Sequence, residues 1–256
     1  TTANLTFAFL ANRSGATLTK TDYRTAVYTA GITGSPATYD VIEVQDMTDP
    51  ANVRYARTFV NILKAEDAGS IGKVVICAGS KNLGDSVWSA TRTLTKSAYR
   101  CLLARGFRKD DICYLAPESI DVDGDGLSEV DRPATLLNLQ NALTTEVAGA
   151  SDLVLYLADH GRNESGEGMF HVSADDELSA TQLDSWLDGL SPAGNMRQKI
   201  IIDCCNSGAF MAGLKPPTGT ERLVTTSCRA DGLTYFVADG LVSFSESFWN
   251  SILNDY

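Results

Sequence analysis

Two apolar runs of the sequence each end in a side chain suited to nucleophilic catalysis. Residues 152–161 read DLVLYLADHG and end with His160 and a glycine. Residues 199–208 read KIIIDCCNSG and place Cys204 and Cys205 directly after three isoleucines and an aspartate. A thiolate attacks a carbonyl carbon, and a neighbouring imidazole takes the thiol proton and later protonates the leaving amine. These residue types therefore predict a cysteine nucleophile with a histidine base.

The two runs must be positioned as neighbouring strands for this chemistry to work. Short continuous apolar runs suit strands that are buried on both faces of a parallel sheet. Ligands bind at the carboxyl ends of such strands, so we expect His160 and Cys205 at one edge. The amides of Gly161 and Cys205 would then stabilise an oxyanion. Because neighbouring strand residues face opposite ways, spacing alone does not choose between Cys204 and Cys205.

An acidic loop offers candidate metal ligands. Residues 121–126 read DVDGDG, with acids at alternate positions and a glycine for the turn, as in the first half of an EF-hand-type loop. Position twelve is Arg132, and Asp131 lies one residue earlier. We predict a structural Ca²⁺ held by Asp121, Asp123, Asp125 and Asp131. The alternative is a solvated acidic turn. Calcium loops of this kind often work at extracellular concentrations, which favours an extracellular or periplasmic location.

Composition narrows the class of protein. The chain has 256 residues, of which 44% are hydrophobic and 21% charged, as in an ordinary globular protein. Its net charge of −11 argues against nucleic acid as a partner. No window reaches the apolar length that spans a bilayer, so we predict no membrane segment. Six cysteines without a CxxC pair predict neither a disulfide scaffold nor a zinc knuckle.

The order of predicted elements divides the chain in two. Residues 1–70 are predicted to form an accessory α/β unit, with strands at 5–10 and 39–44 and helices at 21–30 and 50–64. Residues 71–256 alternate strands with helices, which predicts a doubly wound α/β domain. Its predicted strands are 73–78, 111–115, 153–157, 200–202 and 222–226. Its predicted helices are 97–104, 135–147, 180–190 and 245–253.

The motifs at the ends of the two apolar runs resemble those of a known enzyme clan. Residues 159–161 (DHG) and 203–208 (DCCNSG) are similar to the paired motifs of the caspase–legumain–metacaspase clan of cysteine peptidases. Residues 74–80 (VVICAGS), Thr225-Thr226 and Tyr235 look like the bacterial-type, legumain-like branch. The resemblance covers about residues 73–250. It implies a caspase-like fold, a mostly parallel sheet between helices, that hydrolyses peptide bonds through a thioester.

The resemblance also implies roles for single residues. Cys205 matches the clan's nucleophile, because it lies two residues after Asp203 and two before Ser207. His160 matches the base, and Gly161 would lend its amide. In relatives the acid two residues before the nucleophile lines the pocket for the substrate residue that precedes the cut. The resemblance therefore implies that Asp203 lines this pocket.

Asp239 is a second candidate acid for that pocket. Legumains read asparagine with an Arg-His pair, which the zone around Ala90 and Thr91 lacks. Two pocket acids would suit a basic substrate residue instead. The expected partner is therefore a peptide or protein substrate. Two alternatives use the same fold: a transpeptidase or ligase with the same dyad, and a catalytically silent, calcium-stabilised binding module.

Overall fold

The computed structural model describes residues 4–29, 38–62, 71–190 and 196–254. The chain forms two compact units: one comprises Thr1–Gly69 and Leu103–Gly106, and the other comprises Ser70–Leu102 and Phe107–Tyr256. Among the described residues, no helix combines the length and the apolar character that crossing a membrane requires.

The described residues before position 63 form strands and turns. The strands are β1 (Leu5–Asn12), β2 (Thr17–Lys20), β3 (Ala26–Thr29), β4 (Thr38–Asp46) and β5 (Arg54–Ile62). Strands β1, β4 and β5 form an antiparallel sheet with β4 in the centre, and β2 and β3 form a separate hairpin. The two strands predicted in this region are confirmed.

The helix predicted over residues 21–30 is wrong. The carboxylate of Asp22 accepts hydrogen bonds from the amides of Arg24 and Thr25, at 2.6 and 2.8 Å. An aspartate that bonds its own following backbone favours a turn over a helix. This turn connects β2 with β3, whose β-branched and aromatic residues suit strands. Ala30 and the predicted stop at Gly31 lie outside the described residues.

The helix predicted over residues 50–64 is also wrong over its described part, and the described residues before position 63 contain no helix. Residues 54–62 form β5 and pair with β4 along its length. Cross-strand contacts such as the ion pair between Arg57 and Glu43, at 3.0 Å, outweigh the helical spacing of the apolar residues. The last two residues of the predicted helix, Leu63 and Lys64, lie outside the described residues.

From residue 71 onward, strands and helices alternate. The elements are β6 (Lys73–Ala78), α1 (Trp88–Ala104), β7 (Ile112–Leu115), α2 (Leu136–Asn141), β8 (Asp152–Ala158), β9 (Gly161–Glu164), β10 (Glu167–His171), β11 (Glu177–Ser179), α3 (Ala180–Gly189), β12 (Arg197–Asp203), β13 (Glu221–Thr226) and α4 (Phe244–Asn254). All five predicted strands and all four predicted helices of this region are present. The first helix begins earlier than predicted, at Trp88, and α2 continues as a π-helical turn over Ala142–Glu146.

A five-stranded parallel sheet flanked by helices forms the larger unit. Its strand order is β13-β12-β8-β6-β7. Leu153, Leu155 and Leu157 of β8 belong to the apolar core that contains α2 and α3. Tyr156 faces the other way, and its ring centroid lies 5.2 Å from that of Trp249 in α4. Both faces are therefore buried, as the continuous apolar runs predicted.

The strand order places a switch point between β6 and β8. The chain adds β7 on one side of β6 and then returns to add β8, β12 and β13 on the other. Loops that leave the carboxyl ends at such a point diverge and open a crevice. A second, antiparallel sheet of order β11-β10-β9 follows β8 and was not predicted. Its strands of three to five residues are too short to show a clear period.

Candidate active site

The structure places His160 with Gly161, and Cys205, just beyond the carboxyl ends of two neighbouring parallel strands, β8 and β12. In the parallel pairing of β8 with β12, Ala158 lies opposite Asp203, and the amide of Asp159 donates to the carbonyl of Asp203 at 3.2 Å. His160 and Cys205 each lie two residues beyond this last pair. A methyl group added at Gly161 would come within 2.7 Å of the carbonyl oxygen of Cys205. Glycine is therefore required there, because the His-Gly turn lies directly on the nucleophile segment.

Burial distinguishes the two adjacent cysteines. Cys204 is fully buried in the apolar core, and burial raises the pKa of its thiol well above the usual value. Cys205 is half-buried, and its sulfur lies 3.8 Å from the carbonyl oxygen of Thr234. Because a buried thiol is protonated and inert, Cys205 is the cysteine able to react. Spacing alone had left this choice open.

Asp85 is a site residue that the sequence analysis missed. It lies in the loop between β6 and α1, and its Oδ2 is 3.0 Å from Nε2 of His160. Partial burial raises the pKa of Asp85, but hydrogen bonds from the Val87 amide and from His160 outweigh burial and hold that pKa below its usual value. An ionised acceptor keeps the proton of His160 on Nε2, which leaves Nδ1 as the basic nitrogen. The sequence feature that could have identified Asp85 is its position as an acid just before α1, in the loop that follows β6.

The turn that follows Cys205 makes hydrogen bonds and close contacts with a second loop. Asn206 has a left-handed backbone (φ 58°), and its amide donates to the carbonyl of Gly232 at 2.9 Å. The Ser207 hydroxyl accepts from the amide of Cys228 at 3.1 Å. A methyl group on Gly208 would lie 2.6 Å from the amide nitrogen of Ala230. The Asn-Ser-Gly sequence therefore fixes the loop that follows β13 beside Cys205.

That loop continues as an extended segment over residues 233–236. Leu233 and Tyr235 point outward, with 58% and 69% of their surfaces exposed, whereas Thr234 points toward Asp203. Within the described part of the chain, no backbone hydrogen bond engages the amides of this segment. The amides of this segment therefore remain available beside the Cys205 thiol.

Two buried carboxylates lie beneath the crevice. Burial raises the pKa of Asp159 to about 7, and its Oδ2 has no hydrogen-bond partner among the described residues. Asp203 is fully buried, and burial raises the pKa of its carboxyl as well. Its Oδ1 accepts from the Thr234 hydroxyl at 3.0 Å, while its Oδ2 has no partner in the described structure. Asp203 thus lies under Cys205, covered by Thr234.

Asp239, the other predicted pocket acid, has different surroundings. It is exposed in a turn with a left-handed backbone (φ 54°). Among the described residues, its carboxylate takes part in no hydrogen bond or ion pair. The added methyl of the next residue, Gly240, would lie 3.1 Å from the carbonyl of Ala90 in α1. No contact connects Asp239 with Asp203, so the structure gives no support for a joint role.

The acidic loop forms a cluster that differs from the predicted one. Oxygens of Asp121, Asp123 and Glu129 lie within 4.8 Å of one another. The ammonium of Lys109 lies 2.9 Å from Asp123 and 3.0 Å from Glu129. Three carboxylates are the hard oxygen donors that Ca²⁺ prefers, so the donor set fits this ion. Lys109 already supplies a compensating positive charge.

The other two predicted ligands lie outside this cluster. The carboxylate of Asp131 accepts from the amide of Tyr114 at 2.7 Å, because its segment runs beside the edge of β7. Asp125 accepts from the amide of Leu127 at 2.8 Å, in a local turn. Glu129 was not predicted as a ligand, although it occupies position nine of the loop, where EF-hand loops often bind through water.

The sequence matches no model of a protein family, and no curated protein is significantly similar to it.

Proposed function

We propose that the protein is a cysteine endopeptidase with a caspase-like fold, in which Cys205 is the nucleophile and His160 the base. The observation that carries this proposal is that a histidine with its glycine and a half-buried thiol follow the carboxyl ends of the neighbouring parallel strands β8 and β12, with Gly161 against the backbone of Cys205. Asp85 on Nε2 supplies the third group that orients a catalytic base. Nucleophile, base and orienting acid come from the carboxyl ends of three strands.

The arrangement suits acyl transfer in two steps. His160 takes the thiol proton on Nδ1, and the Cys205 sulfur attacks the peptide carbonyl carbon. The carbon–nitrogen bond breaks as the imidazolium protonates the leaving amine, which leaves a thioester. Water, deprotonated by His160, then attacks the thioester, releases the acid product and restores the thiol. The amides of Gly161 and Cys205 would stabilise the oxyanion of both steps.

The extended segment over residues 233–236 favours a peptide as the substrate. A strand edge with free backbone groups binds an extended peptide by adding it as a further strand. The outward side chains of Leu233 and Tyr235 would contact apolar substrate residues. Thr234, whose carbonyl lies 3.8 Å from the Cys205 sulfur, brings this edge to the nucleophile.

The buried carboxylate of Asp203 favours a basic residue before the scissile bond. Among the described residues its Oδ2 has no hydrogen-bond partner, and a buried acceptor without one is costly. A guanidinium or ammonium group would satisfy it, once a shift of Thr234 opens the way. We expect peptides with Arg or Lys at this position to be cleaved faster than peptides with Asn or Ala, and Asp203→Asn to remove the preference.

A peptide carrying a thiol-reactive group tests the proposal directly. Mass spectrometry of the labelled protein is expected to place the adduct on Cys205 and not on Cys204. His160→Ala should suppress labelling, whereas Cys113→Ala, a half-buried cysteine at β7, serves as the matched control and should label normally. Equal labelling of several cysteines, or unchanged labelling in His160→Ala, would contradict the proposal.

A further inference from the structure

The second histidine of the chain lies against the first. The ring centroids of His160 and His171 are 6.3 Å apart, with an angle of 88° between the planes. The β9–β10 hairpin brings His171 back to this point, and its amide donates to the His160 carbonyl at 3.0 Å. Both histidines of the sequence therefore belong to one site, although the peptidase chemistry described above uses only one.

His171 is held by a chain of charged partners. Its Nε2 lies 3.1 Å from Oε1 of Glu177 in β11. Arg162 in β9 binds the same carboxylate with two nitrogens, at 3.0 and 2.7 Å. A carboxylate draws a proton onto a neighbouring imidazole, and a guanidinium on that carboxylate weakens the pull. Glu177 therefore fixes the ring of His171 without securing a positive charge on it.

Burial also keeps His171 neutral. Loss of solvent lowers the pKa of its imidazole, and the opposing charge of Glu177 does not restore the usual value. The charged and titratable groups that act on it come from four elements: Lys81 after β6, His160 after β8, Arg162 in β9 and Glu177 in β11. Asp85 and Asp159 act on His160 instead. A proton on His171 would place a second cation beside the imidazolium that His160 becomes during catalysis.

We propose that His171 is a positioning residue whose neutral ring packs edge to face against His160, and whose protonation switches the site off at acid pH. Neutral His171 holds the His160 ring with Nε2 on Asp85 and Nδ1 free for the thiol. Protonated His171 repels the His160 imidazolium and returns the proton to the Cys205 thiolate. The inference rests on the proposed pairing of Cys205 with His160, but not on peptide cleavage.

The rate at which iodoacetamide alkylates Cys205 tests this inference, since it follows the thiolate without a peptide substrate. The rate is measured across acid and neutral pH by mass spectrometry, with Cys205→Ala as the blank for Cys204. As the pH is lowered, the rate should fall more steeply in the wild type than in His171→Phe. The difference should correspond to the binding of about one additional proton. At the acid end we expect His171→Phe to react faster than wild type, on the order of threefold to tenfold.

Further variants separate charge from ring packing. His171→Gln keeps a donor for Glu177 but has no ring. Its alkylation rate should therefore fall with acid as gradually as in His171→Phe, a shallow acid limb of the pH–rate curve, and should also be lower at neutral pH. Glu177→Gln leaves His171 harder to protonate and should likewise make the limb shallower, which keeps the test available if the His171 variants fail to fold. Glu164→Gln, which alters only the other partner of Arg162, should keep the wild-type steepness.

The possible failures are distinguishable. Identical acid limbs in wild type, His171→Phe and Glu177→Gln would overturn the role of His171, whatever the activity on peptides. If the protein cleaves no peptide but these variants still show the shallower acid limb, the proposed peptidase function is contradicted and the role of His171 is supported. In His160→Ala the rate at neutral pH should fall, and it should then rise with pH as for an ordinary unpaired thiol, which is the expected control for the pairing itself.

Discussion

At the scale of single residues, burial decides which of two adjacent cysteines is proposed to react. Cys204 and Cys205 are neighbours with the same side chain, yet the first is buried in the core and the second is partly exposed. His160 has its ring fixed by Asp85 at 3.0 Å. The proposed reactive pair depends on two strand ends that lie side by side and each contribute one residue.

Asp85 acts on His160 and touches no reacting atom, so its loss should affect turnover more than binding. We expect Asp85→Asn to lower kcat roughly 100-fold with KM little changed, because the amide no longer fixes the tautomer of His160. Steady-state kinetics on a cleaved peptide measures both constants. Glu118→Gln, near the start of α1 but without contact to His160, is the matched control. A change in KM alone would contradict this role.

Asp159 should make folding stability depend on pH. Burial raises the pKa of Asp159 to about 7, against an ordinary value of 3.8, so the folded protein holds a proton that the unfolded chain releases. Its contribution to stability is therefore present at acid pH and is lost as pH rises between these values. The slope is at most about 1.4 kcal/mol per pH unit.

The matched comparison is Asp159→Asn, which removes the titrating group and keeps the shape. Denaturant unfolding from acid to alkaline pH should show the wild type losing free energy of unfolding relative to this variant, with the variant more stable above neutral pH. Asp175→Asn, an exposed acid, should follow the wild-type curve. Parallel curves for wild type and Asp159→Asn would show that Asp159 is not buried as described.

At the scale of elements, the nucleophile turn and the loop after β13 form one assembly. A methyl group on Gly208 would overlap backbone atoms of residues 228–230, which have no room to move without breaking contacts to Asn206 and Ser207. We expect Gly208→Ala to cost about 1–3 kcal/mol of unfolding free energy and most of the activity. In Gly189→Ala the new methyl meets open space, so this control should be nearly neutral.

The acidic loop carries a second prediction at this scale. If Ca²⁺ binds Asp121, Asp123 and Glu129, it must compete with the Lys109 ammonium that lies on two of them. Calcium in about 100-fold excess over Kd should then raise the free energy of unfolding by about 2.7 kcal/mol. Thermal unfolding with calcium or a chelator measures this. Asp121→Asn should abolish the shift and Asp110→Asn should not; equal shifts in both variants would exclude a specific site.

Elements with one clear period could be predicted from the sequence. The apolar runs of β6, β8 and β12 gave the parallel sheet, since strands buried on both faces need no alternation. The helices predicted over residues 21–30 and 50–64 rest on the spacing of apolar residues, which suggested the apolar face of a helix. In the described residues, the turn at Asp22 and the pairing of β5 with β4 determine the structure instead. Tertiary pairing overrides weak local periodicity.

At the scale of the whole molecule, the topology of the larger unit creates the site. The loops that carry Asp85, His160 and Cys205 follow three adjacent strands, β6, β8 and β12, at one edge of the sheet. Sequence could place His160 and Cys205 at one edge, because both follow parallel strands. It could not place Asp85 or His171, because their positions depend on an unpatterned loop and on short strands that pair only in the folded chain.

The most direct test of the central claim is digestion of a positional peptide library by wild type, Cys205→Ala and His160→Ala, with products read by mass spectrometry. We expect internal cleavage by the wild type, with the cut following Arg or Lys, and none by either variant. Cleavage that persists in Cys205→Ala, or a folded wild-type protein that cuts no peptide of the library, would contradict it.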